Sequence, residues 1–279
     1  MASSTLSLVK TLKLSSGYQI PVLGLGVALA DDCVATCLAA LKHGYRHIDS
    51  ARHYGNEAQV GEAVRQSGIP REEVFITSKV FDQDHGYEST KKAVQGSLDD
   101  FAFDYIDLYL IHSPRSGKER RLETYKALLD LKKEGKIRTA GVSNYGVKHL
   151  EEIKNTGLEL PSVNQIELHP FCQQRPIVEY CKKHGIVVEA YAPLVRAKRM
   201  DHPVLVELSR KYETSPAQIL VRWGLQHELV ELPKSSQPQR LVANADVFDF
   251  NIEKEDLARL DALDMGPEGA VAWNPVGTD

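Results

Sequence analysis

The chain is poor in the features that mark several protein classes. Only four cysteines occur in 279 residues, and none forms a Cys-x-x-Cys pair, which leaves no basis for a zinc ribbon or a dense disulfide framework. Cys33, Cys37, Cys172 and Cys181 are expected to be reduced, buried thiols. No apolar run approaches the roughly 20 residues that span a bilayer. The opening Met-Ala-Ser-Ser-Thr-Leu-Ser-Leu-Val-Lys has neither the basic start nor the apolar stretch of a secretory signal. A cytosolic location without membrane contact is the expectation. Cations are not in excess: 34 Lys and Arg stand against 38 Asp and Glu, for a net charge of −4. That balance argues against the broad positive footprint of a nucleic-acid binder. The ten histidines offer no ligand spacing supported by neighbouring carboxylates, so no metal site is expected.

What is present is alternation. With 42% hydrophobic residues, the length suits two ordinary domains or one barrel of roughly 250 residues. Residues 8 to 22 read as a short hairpin turning at Ser15-Ser16-Gly17. Strand candidates then follow at Val22–Gly26, Arg46–Asp49, Val74–Lys79, Tyr105–His112, Arg138–Ser143, Ser162–Ile166, Ile186–Tyr191 and Leu229–Pro233. Between them lie helix-length segments, including Glu57–Ser67, Ser89–Phe101, Glu123–Glu134, Val147–Asn155, Pro176–Lys183 and Pro216–Gln226. In the first helix Asp31 or Asp32 is the cap, Val34, Leu38 and Leu41 fall on one inward face, and Gly44 ends it. Eight βα repeats predict an α/β fold: a single (β/α)8 TIM barrel spanning residues 1–279, with an N-terminal β-hairpin. An open dinucleotide-binding sheet would want Gly-x-Gly-x-x-Gly after its first strand. Gly24-Leu25-Gly26 runs instead into Val27-Ala28-Leu29 and reads as a tight turn.

A barrel enzyme draws its active site from the C-terminal ends of its strands. Here the predicted ends carry Asp49, Lys79, His112, Ser143-Asn144, Gln165, Tyr191 and, just after strand eight, Lys234. Each alone has an ordinary explanation: a helix cap, a snorkelling lysine, a structural histidine. Seven polar strand ends on one rim read as a site.

The run Gly44-Tyr-Arg-His-Ile-Asp-Ser-Ala-Arg-His-Tyr-Gly-Asn-Glu57 resembles the signature of the aldo-keto reductase family. Ile76-Thr-Ser-Lys79, Leu108-Tyr-Leu-Ile-His-Ser-Pro114, Gly141-Val-Ser-Asn-Tyr145, Asn164-Gln-Ile-Glu167, Ala190-Tyr-Ala-Pro-Leu194 and Leu232-Pro-Lys-Ser235 follow in the family's order. The resemblance covers essentially the whole chain. It implies a monomeric NADPH-dependent reductase of small aldehydes or ketones, with Tyr54, Asp49, Lys79 and His112 as the catalytic set. A phenol is a reluctant acid at neutral pH, and the ammonium of Lys79 would lower its pKa. Asp49 would hold Lys79, and His112 would orient the carbonyl. The resemblance further implies that Tyr191 stacks on the nicotinamide, that Ser143, Asn144 and Gln165 hold its carboxamide, and that Leu194 lies along the cofactor. Lys234, Ser235 and Arg240 would cradle the 2′-phosphate of NADPH/NADP+, and Asn244 would approach the adenine. The chain departs from the pattern at Ala28, where relatives often carry an aromatic ring; at Val80 and Phe81, where a Trp is common; and at Ala243, where an acid is common. A comparatively open pocket and modest cofactor affinity follow. A cofactor-binding sensor and an unrelated phosphate-binding barrel enzyme are the alternatives.

Overall fold

The structure is a computed structural model that describes residues 8–279; residues 1–7 of the stretch read for a secretory signal lie outside it. Strand β5 (Phe75–Val80) shows how sequence becomes architecture, because successive side chains point to opposite faces. Phe75 faces the barrel interior with Leu108, Leu110, Val163 and Val230, and Lys79 reaches Asp49 across it. On the other face Ile76 and Val80 join the main core, and Ser78 Oγ donates to Glu57 of helix α2 (Glu57–Ser67).

The other barrel strands are β3 (Leu25–Gly26), β4 (His47–Asp49), β6 (Ile106–Ile111), β7 (Ile137–Ser143), β8 (Val163–Glu167), β9 (Val187–Tyr191) and β10 (Val230–Leu232). Each pairs in parallel with its sequence neighbour. The sheet closes where Gly24 N donates to Glu231 O at 2.9 Å and Glu231 N to Val22 O at 2.8 Å. Helices α1 (Cys33–His43), α2, α3 (Tyr87–Phe101), α4 (Lys118–Lys133), α5 (Val147–Asn155), α6 (Arg175–Lys183), α7 (Pro203–Lys211), α8 (Pro216–Gln226), α9 (Pro238–Ala245) and α10 (Lys254–Asp261) follow in chain order. This is a (β/α)8 TIM barrel. Among the described residues no helix is long and apolar enough to cross a membrane.

The N-terminal hairpin, β1 (Thr11–Lys13) and β2 (Gln19–Pro21), closes the barrel end away from the polar strand termini. Its Leu14 and Ile20 pack on the interior cluster, and Ser15 and Ser16 hydrogen-bond to Ser162 and Thr139 at 2.8 and 2.9 Å.

Three readings of the sequence change. Helix α1 is capped by Asp32, which accepts from Ala35 N, and ends at Gly44 with φ 112°. Its buried face, however, is Cys33, Thr36, Cys37, Ala40 and Leu41, while Val34 and Leu38 are half-buried at the flank. Helix α4 begins five residues before the expected Glu123, because Lys118-Glu119-Arg120 is an exposed first turn without apolar spacing. Leu25-Gly26 is barrel strand β3, with Gly24 leading directly into it, and not a tight turn: a Cβ on Gly24 would fall 2.6 Å from His47 Nδ1, so glycine answers a close approach. Three helices, α7, α9 and α10, lie outside the segments named from the sequence. All four cysteines are buried free thiols, with Cys33 and Cys37 sulfurs 3.9 Å apart.

Glu231 points away from the barrel axis onto Gly224 of α8, where a Cβ would fall 1.6 Å from its Oε1. Both carboxyl oxygens are buried without a hydrogen-bond partner, and burial pushes the acid well above the ordinary carboxylate range. The folded carboxyl therefore stays protonated while the unfolded one ionises above about pH 4.3. Stability from this group falls as pH rises, by about 1.4 kcal/mol per pH unit, until the folded acid itself titrates. Glu231→Leu should raise Tm by several degrees at pH 8 and by less at pH 5, measured by thermal denaturation; a lowered or pH-independent Tm would contradict this.

Candidate active site

Lys79 is fully buried, and an ammonium in such a place needs a counter-charge and acceptors. Its Nζ donates to Asp49 Oδ1 at 2.6 Å and to the Ser50 carbonyl at 2.8 Å. Register makes the meeting possible: β4 pairs with β5 so that Asp49 opposes Thr77, and Lys79 stands two residues further along the same face. Burial alone would lower the Lys79 pKa, but Asp49, then Tyr54 and Glu189, outweigh it and leave the group above its ordinary value. The ammonium is therefore charged at neutral pH.

Tyr54 closes a short 3-10 turn after β4, Arg52–Tyr54, and its ring lies 5.3 Å from Lys79 Nζ. Burial pushes its phenol up, Lys79 pulls it down, and Asp49 pushes it up again. Lys79 thus lowers the phenol as expected, but the balance still lies above the ordinary value. Burial wins because the phenolate is poorly solvated where the hydroxyl sits. His112 is held well below the ordinary imidazole range, first by burial and then by Lys79 and His53. It is a neutral imidazole whose Nδ1 is buried without a partner.

One cavity of about 1090 Å³ is lined by Asp49, Tyr54, His112, Ser143, Asn144, Gln165, Tyr191, Leu194, Lys234, Ser235, Arg240 and Asn244. Of the catalytic and cofactor residues expected from the sequence only Lys79 stands behind its wall. The dimensions and chemistry fit a dinucleotide. Gln165 Nε2 donates to Asp49 Oδ2 at 2.8 Å and to Glu189 Oε2 at 3.0 Å. Both amide hydrogens are thus engaged, and the amide oxygen is left as an acceptor for a carboxamide. Asn144 adopts φ 63°, a conformation asparagine tolerates, and donates to the His112 carbonyl at 2.9 Å. At the far end Lys234 and Arg240 supply cations, with Lys234 Nζ crossing to the Leu29 carbonyl at 2.9 Å. Ala28 and Ala243 also line the cavity. Phe81 lines the cavity as well, its ring stacked on His53 at 4.0 Å and 5.5 Å from His112.

Several participants were not singled out in the sequence. Glu189 lies in the layer beneath the site, where burial and then Asp49 push its acid up to about 8. Its neighbour His47 is lowered to about 3 by burial and Lys79. Glu167 is fully buried and accepts from Val271 N and Ala272 N in the C-terminal tail, and it meets His169 Nε2 at 3.1 Å. This carboxylate pins the tail so that Trp273 stands over the cavity, 6.1 Å from His112. Tyr191 Oη completes the fastening, its single hydrogen shared between the Trp273 carbonyl and Asn144 Oδ1. A glutamate inside an apolar strand was the available signal, since such a group demands donors.

A cleft with a tyrosine, a buried lysine and a neutral histidine gathered at one end and cations at the other suits an oxidoreductase that holds a nicotinamide cofactor, and the barrel oxidoreductases are the class so defined. The chain belongs to the aldo/keto reductase family, whose model matches residues 27–265. Glyoxal reductase from Bacillus subtilis is 45% identical over 260 residues, covering 92% of this chain and 94% of that one. A crystal structure of an aldo-keto reductase from a Medee basin deep-sea metagenome library superposes with a TM-score of 0.90 at 41% identity, covering 92% of this chain and 96% of that one. An aldo-keto reductase from Bombyx mori, solved in complex with NADP, gives a TM-score of 0.90 at 32% identity and covers 98% of each chain. The protein is thus an oxidoreductase of carbonyl chemistry.

The tail's anchorage is testable through its tryptophan. In a Trp223→Phe background, which leaves Trp273 as the sole reporter, Glu167→Ala should increase acrylamide quenching of Trp273. Unchanged quenching would mean that the carboxylate does not hold the tail.

Proposed function

We propose that the protein is an NADPH-dependent reductase of small aldehydes and ketones in which Tyr54 is the general acid. The observation that carries this reading is the convergence of Tyr54, the buried Lys79–Asp49 pair and neutral His112 on one cavity wall. When bound, a reduced nicotinamide supplies hydride to the carbonyl carbon. Tyr54 donates its proton as charge builds on the carbonyl oxygen, and Lys79 stabilises the phenolate that remains. Asp49 keeps Lys79 charged and in place. A neutral imidazole has one N–H; with no acceptor at Nδ1, the tautomer that avoids an unmet buried donor carries the proton on Nε2 and presents it to the substrate oxygen. Asp49, Lys79 and His112 thus position and tune, while Tyr54 transfers the proton.

In the same reading Tyr191 stacks on the nicotinamide ring, Ser143, Asn144 and Gln165 take its carboxamide, and Leu194 packs along it. Lys234, Ser235 and Arg240 receive the 2′-phosphate that distinguishes NADPH from NADH, since two cations and a hydroxyl suit a dianion. Asn244 approaches the adenine. The name of the Bacillus subtilis relative supports small aldehydes such as glyoxal as substrates.

The test is cofactor oxidation by the purified protein with aldehydes, diketones and α-ketoesters, each run with NADPH and NADH. Tyr54→Phe should lower kcat by about 10²-fold or more with NADPH affinity nearly intact, and retained turnover would assign the acid elsewhere. Arg240→Ala should weaken NADPH about tenfold or more and NADH far less. Equal losses would remove Arg240 from the phosphate site.

A further inference from the structure

The cavity wall carries four side chains that are always or usually cationic, Arg115, Arg196, Lys234 and Arg240, against one acid, Asp49, which Lys79 already neutralises. A dinucleotide with a pyrophosphate and a 2′-phosphate accounts for cations along the groove between Arg196 and Arg240. Arg115 lies elsewhere. It follows β6 in the short loop after His112, and its guanidinium stands over the Trp273 ring, 5.7 Å from the centroid. Trp273 in turn stands 6.1 Å from the His112 ring. The guanidinium is therefore at most about 12 Å from the imidazole that faces the carbonyl.

We propose that Arg115 reads a carboxylate on the substrate, so that the favoured substrates are aldehydes or ketones bearing an acid group at the end remote from the reacting carbonyl. This rests on the reductase reading above. Three features carry it. Among the described residues the Arg115 side chain makes no hydrogen bond and pairs with no carboxylate; only its backbone N–H is engaged, with Ser113 Oγ. The exposed guanidinium stands 5.7 Å over an indole that Glu167 and Tyr191 hold above the cavity, within cation–π reach that biases it toward the cavity mouth. The wall beside His112 is aromatic, formed by Phe81 and Trp273, and Trp273 continues it to Arg115, which suits a short carbon chain or ring joining carbonyl to acid. A guanidinium pairs with a carboxylate through two parallel hydrogen bonds, and the substrate's own bulk would shield that pair from water.

The experiment compares 4-carboxybenzaldehyde with its neutral methyl ester, which has the same reacting group and, being the more electron-withdrawing, is intrinsically the more reactive toward hydride, so that a preference for the acid must come from binding. Wild type should favour the acid in kcat/KM by about tenfold, mostly through KM. Arg115→Gln should abolish that preference, Arg115→Lys should retain most of it, and added salt should weaken the acid alone. NADPH binding, measured by calorimetry, should be unchanged in Arg115→Gln. An ester reduced as well as the acid by wild type, an equal fall for both substrates in the variant, or a loss of NADPH affinity would each overturn the inference. A wild type that reduces neither compound with NADPH would overturn the parent reading, and this one with it.

Discussion

Lys79 carries an ammonium into the middle of a protein barrel, and nearly everything that distinguishes this site follows from what that requires. The charge is tolerated because Asp49 and the Ser50 carbonyl meet it at 2.6 and 2.8 Å. Asp49 is in turn fixed by Gln165, and Gln165 by Glu189. Pairing at Lys79, Asp49 and Gln165 offsets the cost of desolvating this network, while Glu189 Oε1 at its far end is buried without a hydrogen-bond partner. Its electrostatic reach sets the titration of its neighbours: the Tyr54 phenol is pulled against burial, and His112 and His47 are held neutral partly by the same ammonium.

Above this layer the barrel ends in a cleft whose two halves are built differently. One half is a groove with backbone turns and cations, ending at Lys234 and Arg240. The other is a pocket of rings, His53, Phe81, His112 and Trp273, closed by a tail that has no regular structure of its own. The tail is held by the buried Glu167 carboxylate and by Tyr191 Oη. Tyr191 therefore touches both halves, since its ring lines the cavity while its hydroxyl fastens the wall that carries Trp273.

Much of this was legible because alternation and strand-end chemistry are local signals. The βα repeat gave the barrel, and the polar residues at the ends of β4 through β9 pointed to one rim. Three kinds of feature were not legible. Helix α4 starts on an exposed charged turn without periodicity, so its beginning was placed too late. The buried face of α1 is made by small residues, Cys33, Cys37 and Ala40, which hydrophobic spacing underweights beside Val34 and Leu38. The net pKa of Tyr54 depends on how far burial opposes Lys79, a balance of three-dimensional distances that no spacing encodes. The tail's role was hidden for the same reason: Val271 and Ala272 meet Glu167 across more than a hundred residues.

The central claim is that the Lys79 charge tunes Tyr54, and the pH dependence of kcat/KM for NADPH-dependent aldehyde reduction tests it most directly. In wild type the rate should fall at alkaline pH as the Tyr54 proton is lost. Because Lys79 lowers the phenol pKa, Lys79→Met should shift that alkaline limb to higher pH while reducing the plateau rate. An alkaline limb that stays where it was, with the plateau merely lowered, would show that Lys79 holds the site together without tuning its acid.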